Sequence, residues 1–239
     1  MGMIDIGGYS LFIDCAGEGN PPVVLEIGGG GTAEDWITVQ TEIARFTQVC
    51  RYDRAGSGKS ERSLLPISPE RLAGELRTLL TRAEVAVPRI LVGQSIGGLI
   101  MQVYAHLFPK DVAGIVLVDA VHPDLDFRMA EIVTPEQSAD DYAHRPAAAD
   151  YARVRAMGPL PDVPLLVLSA AQNQRVPPGW PAEAMGRLRT ELQEDLVTFA
   201  PRSTRVIVDC GHHIHLERPD AVVEAIQRVI EAVRVNGIL

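Results

Sequence analysis

Along this chain, short runs rich in apolar residues alternate with longer stretches in which apolar side chains recur every three or four positions. The runs fall at residues 23–27, 48–52, 89–93, 113–119, 165–169 and 205–209. Their length and β-branched content predict strands, and the continuous apolarity of 113–119 and 165–169 predicts a parallel sheet covered on both faces. Residues 4–14 are strand-like but interrupted by Gly7 and Gly8, which predicts a hairpin ahead of the parallel part.

The helical periods lie between the runs. Thr32-Ala33-Glu34-Asp35 reads as a capping box ahead of Trp36, Val39 and Ile43. Ser68-Pro69-Glu70 reads as an N-cap with proline at the first helical position, followed by the stripe Leu72, Leu76, Leu79 and Ala83. Further stripes are Ile96, Leu99, Ile100, Val103, Tyr104 and Leu107; then Met185, Leu188, Leu192, Leu196 and Phe199; then Val222, Ile226, Val229 and Val233. Strand–helix alternation of this kind predicts a doubly wound α/β sheet. Residues 121–163 break the rhythm with scattered apolar side chains among Ala, Asp and Pro, and are longer than an ordinary connection. They are expected to form a lid inserted into one domain spanning residues 1–239.

Composition adds constraints. At 239 residues, 46% of them apolar, the chain is long enough to bury a core without a staple. The net charge of −9 opposes binding to phosphate backbones and anionic lipid, so no nucleic-acid or membrane partner is expected. Cys15, Cys50 and Cys210 are too few and too scattered for a disulfide framework or a zinc site, which favours a reducing compartment. Residues 1–10 carry no basic, apolar leader pattern and no run is long enough to span a bilayer, so a cytoplasmic location is expected.

Three glycine motifs suggest chemistry. Gly56-Ser57-Gly58-Lys59-Ser60 resembles the end of a phosphate-binding loop, but Asp53 stands where the first glycine belongs, and a carboxylate there repels phosphate. Gly28-Gly29-Gly30-Gly31-Thr32-Ala33 fits a dinucleotide fingerprint with Asp53 twenty residues on, although a hairpin precedes its strand. Gly93-Gln94-Ser95-Ile96-Gly97 lies between a strand and a helix, where a sharp turn lifts a serine hydroxyl to the carboxyl edge of the sheet. A serine nucleophile needs a base, and His212 follows the last strand directly after Gly211. His213 and His215 read as structural or solvent-facing histidines, since no carboxylate or cysteine sits nearby at ligand spacing; His106, His122 and His144 have no motif in their favour.

With residues 23–31 and Trp36, the stretch Tyr52-Asp53-Arg54-Ala55-Gly56-Ser57-Gly58-Lys59-Ser60, the Ser95 turn, and Gly211-His212 with Glu217-Arg218-Pro219-Asp220, the chain resembles α/β-hydrolase-fold enzymes over its whole length. The resemblance implies the α/β-hydrolase fold, with Ser95 as nucleophile, His212 as base, and the amides of Gly29 and Ile96 as oxyanion hole. It offers two places for the acid. One follows the strand at 165–169, where Asn173 stands; the other ends the preceding strand, where Asp119 stands. Asp119 is preferred, then Asn173, then Asp124; a cap or turn role is the alternative for Asp119. The implied activity is hydrolysis of a small ester or lactone through an acyl-enzyme, without cofactor or metal. A thioesterase, or a cyclase, acyl-transfer or ligand-binding member, is the alternative. Residues 121–163 and Trp180 are expected to shape the pocket.

Overall fold

The computed structural model describes residues 2–134, 148–172 and 176–235. Among these, eight strands form one sheet: β1 (Gly2–Asp5), β2 (Ser10–Ala16), β3 (Val23–Glu26), β4 (Val49–Tyr52), β5 (Arg89–Gln94), β6 (Val112–Val118), β7 (Leu165–Ala170) and β8 (Ser203–Val208). The spatial order is β1-β2-β4-β3-β5-β6-β7-β8. The predicted hairpin supplies the antiparallel edge: β1 pairs with β2 and β2 with β4 antiparallel, and every later pairing is parallel.

The helices are α1 (Ile37–Ile43), α2 (Pro69–Arg82), α3 (Ile96–Leu107), α4 (Leu125–Met129), α5 (Ala148–Arg155), α6 (Ala182–Asp195), α7 (Ile214–Glu217) and α8 (Pro219–Val235). The strand runs divide their side chains between two cores. Val24, Leu91, Leu117 and Val167 face α2 and α3, while Leu25, Val92, Val116 and Leu168 face α1 and α8. That division is the physical reason for unbroken apolar strands: both faces of the sheet are covered by helices.

Local signals act where expected, with two differences. Ser68 caps α2, its hydroxyl accepting the Arg71 N–H at 3.2 Å. The Thr32 N–H donates to Asp35 at 3.0 Å, but the box opens a 3-10 turn (Ala33–Trp36), and the α-helix starts only at Ile37. Helix α3 is buried all round from Gly97 to Ala105, whereas Leu107, assigned to its buried face, is exposed at the end of the helix.

The cysteine argument requires correction. Cys15 and Cys50 form a disulfide. Thirty-five residues apart in sequence, they face each other across the antiparallel β2–β4 pair. Separation along the chain says nothing about separation across a sheet, so the cysteine content no longer favours a reducing compartment. Cys210 is a buried free thiol. No helix among the described residues is long and apolar enough to cross a membrane.

A third apolar cluster, Met129, Val133, Trp180, Leu188 and Leu192, joins α4 to α6 above the sheet. The cover over the carboxyl edge is therefore built from two places, the segment after β6 and the segment after β7. Of the expected lid, residues 135–147 lie outside the described residues.

Candidate active site

The site begins with the turn after β5. Ser95 has φ 53° and ψ −124°, a backbone conformation that costs an ordinary residue on the order of 1–3 kcal/mol. Neighbouring contacts enforce it. The Ser95 N–H donates to the Val118 carbonyl at 3.1 Å, and the Ser95 carbonyl accepts from Val121 at 2.9 Å. The flanking glycines are required by space. A Cβ on Gly93 would lie 2.6 Å from the Gly97 carbonyl oxygen, and one on Gly97 would lie 2.7 Å from the carbonyl oxygens of both Glu26 and Ile27.

One strand over, β6 ends in Asp119, whose φ is also positive at 44°. Its N–H donates to the Leu168 carbonyl at 2.7 Å. The side chain is buried and well partnered. Oδ1 accepts the Ala170 N–H at 3.1 Å, Oδ2 accepts His212 Nδ1 at 2.5 Å, and Oδ2 also receives Nη2 of Arg189. With Nδ1–H committed to Asp119, Nε2 of neutral His212 is the acceptor. The His212 loop is tied down by Glu217, whose carboxylate accepts the Gly211 N–H at 2.9 Å.

Ser95, Asp119 and His212 line one cleft. His212 Nε2 does not bond the serine in this state. It lies 3.2 Å from Gln94 Nε2, whose amide also donates to the His212 carbonyl at 3.3 Å.

The glycine run 28–31 packs against the Ser95 turn. A Cβ on Gly28 would lie 3.1 Å from Ser95 Cβ, and one on Gly29 would lie 3.9 Å from Ile96 Cγ2. Arg54 shapes this loop from behind: Nη1 reaches the Ile27 carbonyl and Nη2 the Gly28 carbonyl, the latter at 2.7 Å. In a trans peptide the N–H points opposite to the C=O, so the Gly29 amide is directed away from Arg54. The same guanidinium pairs with Glu26, which also receives the Tyr52 hydroxyl.

Glu26 is fully buried, and desolvation pushes its carboxyl up to about 7 against the opposing pull of Arg54. A carboxyl whose pKa is higher in the folded than in the unfolded state holds its proton longer when native. Its contribution to stability is therefore fully present below about 4.5 and is lost as pH rises through about 7. Urea unfolding of Glu26→Gln beside wild type at about pH 5 and pH 8 should show the variant gaining relative to wild type at the higher pH. An equal gap at both would contradict this.

Other sequence candidates lie elsewhere. Asp124 pairs with Arg155 at 2.5 Å and offers its backbone N–H to His122 Nδ1 at 2.9 Å, with no bond to His212. Asn173 and His144 fall outside the described residues. His122 is buried against Asp195 at 3.0 Å, and burial lowers its pKa. Burial likewise lowers His106. His215 stacks on Trp36 with ring centroids 4.7 Å apart, and burial pushes it down to about 4. Trp180 packs behind Met129 and Leu188, which line the cleft.

Asp53 is structural. It accepts the Ala33 N–H at 2.7 Å and the Lys59 N–H at 2.8 Å, joining the glycine-rich turn to the start of the 3-10 turn. Lys59 itself pairs with Glu34 at 3.0 Å. Neither residue is disposed to hold a nucleotide.

Sequence reading passed over Gln94 and Arg189. Gln94 gave no separate signal inside its motif. Arg189 did: it stands four residues after Met185 and three before Leu192, on the inward stripe of α6.

Residues 27–225 match the alpha/beta hydrolase family, and the chain belongs to it. The chain spans less than half the length of the curated relatives it matches first. Uncharacterized protein YqjL of Bacillus subtilis is 33% identical over 103 residues, 43% of this chain and 41% of that one. Two solved structures share the fold. The enol-lactonase from Burkholderia xenovorans LB400 aligns with TM-score 0.69 at 19% identity, covering 96% of this chain and all of that one. A thermophilic esterase from Thermogutta terrifontis aligns with TM-score 0.67 at 21% identity, covering 94% of each.

Proposed function

We propose that the protein is a serine hydrolase that cleaves a carboxylic ester or lactone of a small molecule through an acyl-enzyme on Ser95. The observation that carries this reading is the 2.5 Å bond from His212 Nδ1 to buried Asp119, in the cleft that holds the strained Ser95. The names of the structural relatives, esterase and enol-lactonase, support the substrate class.

In this reading His212 Nε2 leaves the Gln94 amide and takes the Ser95 proton as Oγ attacks the acyl carbonyl. Asp119 holds the imidazole tautomer and balances its charge. The Gly29 and Ile96 amides receive the oxyanion, a contribution of about 3–4 kcal/mol per donor in comparable sites. The proton passes from His212 to the leaving alkoxide, and water releases the acyl group by the same route. No cofactor takes part. The cleft, open to solvent, is walled by Val121, Leu125, Met129, Met185, Leu188 and Leu192, which suits a small molecule with apolar parts. Nucleic acid and membrane are not partners in this proposal.

One observation favours a second reading. Gln94, not Ser95, occupies His212 Nε2, as in a non-hydrolytic or ligand-binding member in which the serine stays inactive. Intact mass after incubation with a fluorophosphonate separates the two. A single adduct on wild type, absent from Ser95→Ala, is expected. A folded wild type that takes no adduct would sink the hydrolase reading in favour of the second.

A further inference from the structure

Arg189 moves no proton in the reaction described above, yet its guanidinium holds Asp119 and stands beside the reacting groups. Among the described residues that line the cleft it is the one arginine or lysine, on a wall otherwise dominated by aliphatic side chains and methionines. Its Nη2 and His212 Nδ1 meet on the same atom, Oδ2 of Asp119. Guanidinium and imidazole are therefore immediate neighbours. Among the described residues its other partner is the Gln172 carbonyl, reached by Nη1 at 3.4 Å, which is long for such a bond. A guanidinium has five N–H donors, and a fifth of this side chain remains open to solvent.

A counter-ion serving only Asp119 would have no need to face the cleft. Asp119 already accepts a backbone N–H and the imidazole N–H. Arg189 instead presents a fixed positive charge where substrate enters, in a chain whose net charge is −9. Planar paired donors of this kind recognise carboxylates in particular.

We infer that Arg189 is the binding site for a carboxylate on the substrate, so that the preferred ester or lactone carries a free carboxylate a few bonds from the scissile carbonyl. The inference rests on the hydrolase reading for the word substrate, but its binding test does not. The short separation is inferred from the cleft that Ser95, His212 and Arg189 line together, with Arg189 and the imidazole meeting on one oxygen of Asp119. Apolar walls then hold the chain between the two groups.

The test is a matched pair, mono(4-nitrophenyl) glutarate and 4-nitrophenyl pentanoate, which differ by a terminal carboxylate in place of a methyl group. Wild type should favour the glutarate in kcat/KM. Arg189→Gln should reduce the preference roughly 10- to 100-fold, mainly through KM for the glutarate, as expected for loss of a charge-assisted hydrogen bond. Arg189→Lys, which keeps the charge, should restore part of it. A glutarate-to-pentanoate ratio identical in wild type and Arg189→Gln overturns the inference, because a counter-ion role would slow both substrates alike. Calorimetry of monomethyl glutarate and methyl pentanoate on Ser95→Ala, with and without Arg189→Gln, gives the same comparison without turnover. Tighter binding of the glutarate that depends on Arg189 supports the inference even if wild type takes no fluorophosphonate and the hydrolase reading fails. An adduct on wild type with equal binding of both compounds overturns the inference alone.

Discussion

Replacing Asp119 by asparagine should lower kcat about 10,000-fold with little change in KM and an intact fold, the size of loss seen when a triad carboxylate is neutralised in comparable enzymes. The reason lies in the three bonds the carboxylate makes. Two of its donors, the Ala170 N–H and the Arg189 guanidinium, fix its place; the third, His212 Nδ1–H, depends on it. An amide of the same shape can turn its NH2 toward His212, which favours the wrong tautomer, with the proton on Nε2 and none of the basicity there that Ser95 requires. The negative charge that balances the imidazolium is also lost. Fluorophosphonate labelling should slow in parallel with ester turnover. The outcome that would move the assignment is near-full activity in Asp119→Asn together with loss of activity in Asn173→Ala, which would put the orienting group after β7.

Gly97→Ala should give a smaller but still large loss of activity and, unlike Asp119→Asn, should also destabilise the fold. The new Cβ would lie 2.7 Å from the carbonyl oxygens of Glu26 and Ile27, both backbone atoms at the end of β3 that cannot turn aside as a side chain can. Either α3 moves away from the sheet or β3 and the glycine loop move away from α3. Both displace the Gly29 and Ile96 amides relative to Ser95. Overpacking of this kind costs about 1–3 kcal/mol, and loss of oxyanion alignment costs about 100- to 1,000-fold in kcat. Gly74→Ala is the control. It lies in α2 with nothing within 4 Å of the added methyl group, so it should raise stability by about 0.5–1 kcal/mol and leave turnover alone. If Gly97→Ala behaved like Gly74→Ala in urea unfolding and in turnover, the tight elbow would not be what holds this site together.

Both predictions concern positions readable from sequence, for a common reason. The strand runs, the helical stripes and the Gly93–Gly97 turn are local patterns, and their physics acts over a few residues. Periodicity decides which face is buried, and missing Cβ atoms decide where two backbones can approach. The sheet accordingly contains every strand that the apolar runs foretell, with bounds shifted by one or two residues. Where local reading went astray, a longer-range contact decided. The capping box at Thr32 opens a 3-10 turn, and a contact from the next strand's loop, Asp53 accepting the Ala33 N–H, holds its start. Helix α3 is buried beyond its predicted face because α2 packs against it.

The sequence by itself determined the class of fold, the order of its strands along the chain, and the separate presence of Ser95, Asp119 and His212 at strand ends. These rest on local periodicity and turn chemistry, which need no knowledge of neighbours. Only the tertiary structure decided which distant residues meet. It set Cys15 against Cys50, Arg54 behind the glycine loop, Gln94 on His212, and Arg189 on the oxygen of Asp119 that the histidine shares. Such pairings depend on strand order and on how α6 folds back over the sheet edge, and no pattern confined to a short stretch of chain encodes them.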